Sequence, residues 1–404
     1  MSDCIPLATI QNFASKDTNR IIGQIGRVLA RKSPYINSID GGTLPNVSDV
    51  VRSVVEEMPV PAQLNALSTP TFQNDVTMCG VGASPDKVGT TEYTFQLQTF
   101  RGAGPRVCVK QARTAFKGSY LQAQIALEKN ILQIINADIR YQYLLQSGIK
   151  FVTDNTKSFS ANLSGDMQVL GAPWAAGSVP NAAMNFKTLY KIGSFLREEM
   201  LAEPFATSQG EFFQVMASAD QIETFRNDAD VKEDLIGLTT GQFKLGEQSI
   251  SGYQFQGYRG FAFGIDQQPL RASGFDGSGN LVLVNPIVQA TVQNGFAQRR
   301  NPAWVSAPYE VMFVVAGEAF KRLVPESYTG EGTFRFAPQL AMGELEWTYF
   351  RDNDCNLYGD YGQHIYQIQR AIQPVRPQNV CAIVYKRCPF DGMPLACPTG
   401  ATGL

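Results

Sequence analysis

The chain has 404 residues, 44% of them hydrophobic and 17% charged, with 34 Lys and Arg against 36 Asp and Glu. Charge content below the usual ~25% argues against disorder throughout, and a net charge of -2 gives no overall electrostatic case for nucleic acid as the main partner. One histidine, His364, in a chain of this size is poor equipment for general acid-base or zinc chemistry.

The first ~70 residues read as a polar arm punctuated by Pro34, Pro45, Pro59, Pro61 and Pro70. They hold no apolar run of signal-peptide length, and no later segment approaches the ~18 apolar residues of a membrane span. The expectation is a chain kept in a cytoplasm, without membrane contact. Within the arm, Ile21, Ile25, Val28 and Leu29 recur at helical spacing while Arg20, Arg27, Arg31 and Lys32 take other positions, giving a basic amphipathic helix. A second helix is expected over Ser48 to Glu57, where Val50, Val51, Val54 and Val55 follow a capping Asn46 or Ser48 and Pro59 ends the run.

Over residues 91–112 the period becomes two. Tyr93, Phe95 and Leu97 alternate with polar neighbours, and after Arg101 to Pro105 the pattern resumes at Val107 and Val109, which predicts a hairpin. A two-stranded ribbon is marginal alone in water, so it must lie on its own core or on another chain. Residues 118–147 lack proline and internal glycine and carry an apolar stripe through Leu121, Ile125, Leu132, Ile135, Ile139 and Tyr143. They predict a helix of about 28 residues, roughly 42 Å long at 1.5 Å per residue, ended by Gly148 and followed by a strand over Ile149 to Val152.

Farther on, helices are expected around Phe186 to Leu201 and Ala219 to Arg226, with a strand from Phe212 to Met216 between them. Aromatic strands cross the glycine-rich stretch from Tyr253 to Phe263, and Gly274 to Asn280 forms a turn before a strand at Leu281 to Val284. After Pro302 come a strand from Tyr309 to Val315, a short helix from Glu318 to Leu323, and strands over Glu344 to Tyr349, Gln363 to Ile372 and Val380 to Tyr385. In the last, Cys381, Ile383 and Tyr385 face one way and Val380, Ala382 and Val384 the other, so the strand is expected to be central. Helices and strands mixed without strict alternation give an α+β class.

Catalytic and metal signatures are thin. Seven cysteines (Cys4, Cys79, Cys108, Cys355, Cys381, Cys388, Cys397) are scattered without a C-x-x-C pair, so neither a disulfide scaffold nor a zinc ribbon is expected. Cys79 to Pro85 imitates the start of a dinucleotide fingerprint, but Pro85 stands where the third glycine belongs. Asp352, Asp354 and Asn356 alternate as in a calcium loop, with Gly359 too late for the EF-hand turn. An enzyme would have to use His364 with a Cys or Ser nucleophile, or a carboxylate pair drawn from Glu344, Glu346, Asp352 and Asp354. The preferred reading has no catalytic, metal or cofactor site.

The order of elements, together with WVSAPYEVMFVVAGEAFKRLVPES at Trp304 to Ser327 and the stretch Leu345 to Cys388 with YGDYG followed by PVRPQNVCAIVYKRC, resembles the major capsid proteins of tailed double-stranded DNA bacteriophages, the Hong Kong 97 type fold. The likeness runs over roughly residues 70–390. It implies an N-terminal arm at 1–70, an extended loop at 71–117 bearing the 91–112 hairpin, and a peripheral domain from 118–184 and 301–390 built on the 118–147 spine helix. An axial domain at 185–300 and a C-terminal tail at 391–404 complete the division. It further implies pentamers and hexamers closing into an icosahedral shell around double-stranded DNA, in a virion assembled in the host cytoplasm, with portal, scaffold and decoration proteins as partners. Phe95, Leu97 and Val107 would supply apolar contacts to a neighbouring subunit and Arg101 and Arg106 polar anchoring. Arg20, Arg27 and Arg31 would hold a scaffolding segment or an adjacent subunit. Some members crosslink through a loop lysine; here the tip from Arg101 to Pro105 has none, and crosslinking is not expected. An encapsulin-like container holding protein cargo is the related alternative.

Overall fold

The computed structural model describes residues 35, 38–44, 50–57, 89–96, 98–103, 107–108, 133–164, 174, 179–207, 210–226, 228, 260–292, 295–325, 344–349 and 361–387. Its centre is a mixed sheet. Along the main path the strands run Phe261–Ile265, Gly210–Ala217, Tyr309–Val315, Val380–Lys386, Ile149–Val152 and Leu163–Ser164. Val380–Lys386 lies antiparallel to Tyr309–Val315 on one edge and parallel to Ile149–Val152 on the other, so it is central, as its two apolar faces require.

Strict alternation sorts this sheet's side chains into two cores. Val311, Phe313, Val315, Val380, Ala382 and Val384 pack with Ile135, Ile139, Tyr143 and Leu144. Those four come from a helix at 133–146. On the opposite face, Met312, Val314, Cys381, Ile383 and Tyr385 pack with Leu189, Ile192 and Leu196 of the helix Phe186–Glu198. The result is a helix, sheet, helix sandwich. Gly148 N–H donates to the Pro377 carbonyl at 2.8 Å. A Cβ there would stand 2.7 Å from Gln378 N, so only glycine allows the helix to end against that turn. The expected helix over 118–147 is described for 133–146, and its first part lies outside the described residues.

A second sheet is built on the long strand Tyr361–Pro374. Glu344–Tyr349 pairs on one side; Gln98–Ala103, Val107–Cys108 and Phe320–Pro325 pair with it as well, and Asp40–Leu44 adds parallel to Phe320–Pro325. Two ribbons form ladders of their own: Val50–Glu57 with Gly89–Gln96, whose second strand lies against Tyr361–Pro374, and Ile287–Val292 with Gly295–Arg300.

Several expectations are corrected. Val50–Glu57 is a strand, because its four β-branched valines suit a pleated ladder and a partner exists at 89–96. The arms expected to pair as a 91–112 hairpin pair elsewhere: Gly89–Gln96 with Val50–Glu57, and Gln98–Ala103 with Tyr361–Pro374. Glu318 to Leu323 is not a helix, since Glu318 sits at φ 54 in a turn and Phe320–Pro325 is a strand. The arm does not extend unbroken to residue 70, because Tyr35, Ser38 and Ile39 are buried and Asp40–Leu44 joins a sheet. The central sheet interleaves strands from 149–164, 205–217, 261–283, 309–315 and 380–386, because a strand apolar on both faces must find neighbours wherever the chain supplies them.

Candidate functional site

Of the residues considered for catalysis, His364, Glu344, Glu346 and Cys381 lie among the described residues. His364 is in register with Trp347, and Glu346 with Ile365, all within the second sheet. Glu344 and Glu346 are two apart on one strand, hence on the same face and not across a cleft. Cys381 is fully enclosed, and burial pushes its thiol up, away from the reactive thiolate. Asp352, Asp354 and Cys355 lie outside the described residues. Among the described residues no cluster of three metal-ligating side chains occurs, and no helix is long and apolar enough to cross a membrane.

What the fold does present is two larger sheets and two ribbons with ladders of their own. In the first ribbon Val51 faces Phe95, Ser53 faces Tyr93 and Val55 faces Thr91, so these positions share one side, while Arg52, Val54 and Glu56 fall with Thr94, Glu92 and Thr90 on the other. Phe95 is thus a ribbon residue. Arg101 stands opposite Gln367 and Val107 opposite Gly362, both within the chain's own second sheet. Leu97, Arg106, Arg20, Arg27 and Arg31 lie outside the described residues. The second ribbon was missed by the sequence reading. Its signal was the alternation Val288, Ala290, Val292 followed by Gln293-Asn294-Gly295, and Asn-Gly is a strong turn dipeptide.

Two buried charge networks hold the elements between these surfaces. Glu310, 1% exposed, accepts a hydrogen bond from Arg271 Nε at 2.9 Å and one from the Tyr385 hydroxyl, with Arg387 Nε 3.8 Å away. Arg271 stacks 3.7 Å from the centre of the Trp304 ring and donates to the Trp304 carbonyl at 3.3 Å. Arg387 reaches outward to Asp220 at 3.6 Å. Burial lowers the pKa of Arg271 and, with Glu310 beside it, pushes the Tyr385 phenol well above its ordinary range. The network therefore binds strands 271–275, 309–315 and 380–386 to the turn of helix Pro302–Val305.

In the second network Asp266 accepts from Tyr35 Oη at 2.6 Å, Arg140 Nη1 at 2.9 Å and Gln268 N at 2.9 Å. Ser38 Oγ and Tyr143 Oη lie 2.7 Å apart. Burial first, then the Asp266 charge, raises the Tyr35 phenol well above its usual value. The segment around Tyr35 is thereby fastened to the 133–146 helix and to the end of strand Phe261–Ile265.

No family model matches the sequence, and no curated protein is similar to it. Solved structures do match. Over 87% of this chain and 88% of the other, it superposes on a chain of the capsid of Ralstonia phage GP4 with a TM-score of 0.52 at 12% identity. The fold is that of a phage capsid protein. The cyanophage Pam1 capsid asymmetric unit matches over 88% of this chain and 93% of that one, with a TM-score of 0.50 and 9% identity. Capsid-fold chains of this kind share the mixed α+β architecture, and at these identities the likeness concerns architecture and not particular residues.

Proposed function

We propose that the chain is the major capsid protein of a tailed double-stranded DNA phage, a non-enzymatic subunit that forms pentamers and hexamers and closes into an icosahedral shell around the genome. The observation that carries this reading is the superposition over 87% of the chain on a phage capsid. The ribbon Ile287–Val292 with Gly295–Arg300 supports it, since a two-stranded ribbon that joins no larger sheet is marginal in water until another surface covers it.

In this reading the helix ending at residue 146 is the spine, and the Hong Kong 97 division into peripheral and axial domains applies with boundaries redrawn to follow the sheets. The extended loop is the ribbon Val50–Glu57 with Gly89–Gln96, so Phe95 is the residue best placed to meet a neighbouring subunit. Leu97, Arg101, Arg106 and Val107 then act at the neighbour's edge. Arg20, Arg27 and Arg31 engage a scaffolding segment or an adjacent subunit, and portal and decoration proteins complete the virion. A near-neutral chain suits a shell that must contain packed DNA without gripping it.

Electron microscopy of the purified full chain, with its nucleic-acid content measured, tests the proposal. Closed shells tens of nanometres across are expected. A stable monomer overturns it, and shells that hold protein cargo and no genome when isolated from infected or producing cells point to an encapsulin-like container instead.

A further inference from the structure

The helix Phe186–Glu198 places a base near its start and two acids at its end, against the preference of its own backbone. A helix carries partial positive charge at its N-terminus and negative charge at its C-terminus, so acids belong at the start and bases at the end. Here the first turn holds no acid and carries Lys187, while the last turn carries the base Arg197 and then closes on Glu198 and Glu199. Lys187 and Glu198 are eleven positions apart, three turns and about 20°, and so share one outward stripe, separated by about 16 Å. Lys187, Glu198 and Glu199 are exposed, whereas Phe186, Leu189, Ile192 and Leu196 face the core.

No counter-charge stands three or four residues from Lys187 or Glu198 along the helix. The positions three and four residues from Lys187 are Tyr190 and Lys191, and those before Glu198 are Phe195 and Ser194. Among the described residues no ion pair joins Lys187, Glu198 or Glu199. Arg197, the nearby base, lies over the Phe213 ring at 5.6 Å.

Each end also offers apolar surface. Tyr190 is 50% exposed beside Lys187, and Leu201 is 68% exposed just beyond Glu199. Leu201 has φ 51, a left-handed conformation normally given to glycine at a helix end. It is held there by Ala202 N–H donating to the Leu196 carbonyl at 2.9 Å. Exposed Glu203 adds to the acidic end.

We propose that this stripe is a docking strip for a second copy of the same chain, with the Lys187 and Tyr190 end of one copy against the Glu198, Glu199 and Leu201 end of another. Charge complementarity selects the occupant. A polyanion is repelled by the acidic end and a polycation by the basic end, whereas a second copy of the strip satisfies both. The inference rests on the shell reading and deepens it by naming a subunit contact.

The test uses the full chain in three forms: Lys187→Glu, the pair Glu198→Lys with Glu199→Lys, and all three changes together. Each of the first two places like charges at the contact and weakens it by about tenfold or more per contact, so shells are lost in electron micrographs. The combined form restores assembly, and so does mixing the first two, because one then carries acids at both ends and the other bases. All three substitutions complement the helix dipole better than the native residues, so the unassembled variants melt no lower than wild type, which separates lost assembly from lost folding. Either single-end variant assembling as wild type overturns the strip, as does a folded triple variant that stays unassembled. If the wild-type chain itself never leaves the monomer, the shell reading fails and the strip with it.

Discussion

Replacing Glu310 by glutamine removes a buried carboxylate from between Arg271 and Tyr385. The carboxylate is 1% exposed and the Arg271 side chain 6%, with their atoms 2.9 Å apart, so neither partner is rescued by solvent. Breaking such a pair from one side costs about 3–5 kcal/mol, mainly as a guanidinium left buried without a counter-charge. Two features set the position within that range. Arg387 keeps Asp220 at 3.6 Å and does not become an orphan. The glutamine amide oxygen can still accept one of the hydrogen bonds that Glu310 receives, which places the glutamine variant near 3 kcal/mol and an alanine variant near 5 kcal/mol. Against a total stability of about 5–15 kcal/mol this is a large fraction. Denaturant unfolding of the unassembled protein measures it as a lower midpoint at unchanged slope. Glu310→Leu combined with Arg271→Met removes both charges and is expected to cost less than Glu310→Gln alone. A glutamine variant within about 1 kcal/mol of wild type, or a double variant as costly as the two singles added, refutes the assignment of Glu310 as the counter-charge that makes Arg271 tolerable in the core.

Gly193 lets the Phe186–Glu198 helix settle on the sheet, because a Cβ there would stand 2.5 Å from Phe261 Cζ. Gly193→Ala gains about 1 kcal/mol of helix propensity but forces the ring aside at a cost of about 1–3 kcal/mol, so a lower melting temperature is expected, and a higher one would show that the helix does not need this close approach. Tyr35 and Tyr385 have phenol pKa values raised first by burial and then by Asp266 and Glu310 respectively, so their contribution is complete below the ordinary value of 10.0 and is lost as pH climbs toward their folded values. Alkaline titration followed by phenolate absorbance should therefore show two tyrosines ionising only together with unfolding, and their phenylalanine variants should remove that lag; ionisation of all tyrosines before unfolding would contradict the burial. Cys381, enclosed with its thiol pKa raised by burial, should resist thiol reagents until the protein is denatured, and rapid labelling of the native chain at this residue would show that the central strand is accessible.

How much of this was legible in the sequence depends on whether period or partner was at issue. Val380 to Tyr385 announced a central strand, since apolar residues on both faces leave no side for water, and its sorting into Val380, Ala382, Val384 and Cys381, Ile383, Tyr385 is the division between the two cores. Ala219 to Arg226 and Glu344 to Tyr349 were likewise readable from local pattern alone. Val50, Val51, Val54 and Val55 fit helical spacing, and only their β-branching argued for the strand that a distant partner at 89–96 then selected. The supposed 91–112 hairpin failed for the same reason. Alternation identifies strands, but not whether Gln98 to Ala103 pairs backward in the chain or with Tyr361–Pro374, more than 250 residues later. The buried networks had one clue, a lone Glu310 inside the apolar run Tyr309–Val315, which demanded a buried cation without saying that Arg271 would supply it.

Local rules and tertiary structure agree almost everywhere inside this molecule and part company at its surface. Core strands alternate cleanly, the buried carboxylates of Glu310 and Asp266 meet guanidinium groups, and glycine stands where Phe261 and Pro377 approach too closely for a side chain. Outside, the ribbon Ile287–Val292 with Gly295–Arg300 joins neither sheet's ladder, one helix opens with a lysine and closes on two glutamates, and a leucine holds a left-handed turn with 68% of its surface in water. For an isolated monomer each of these is a cost without return. Sequences tolerate such conflicts where another requirement overrides local stability, and conflicts confined to the exterior point to a requirement that is met outside the subunit. In an assembled shell the same features change sign. The covered ribbon gains apolar contact, opposed charges find counter-charges on the adjacent copy, and the conformation that exposes Leu201 becomes a preformed contact instead of a strained turn.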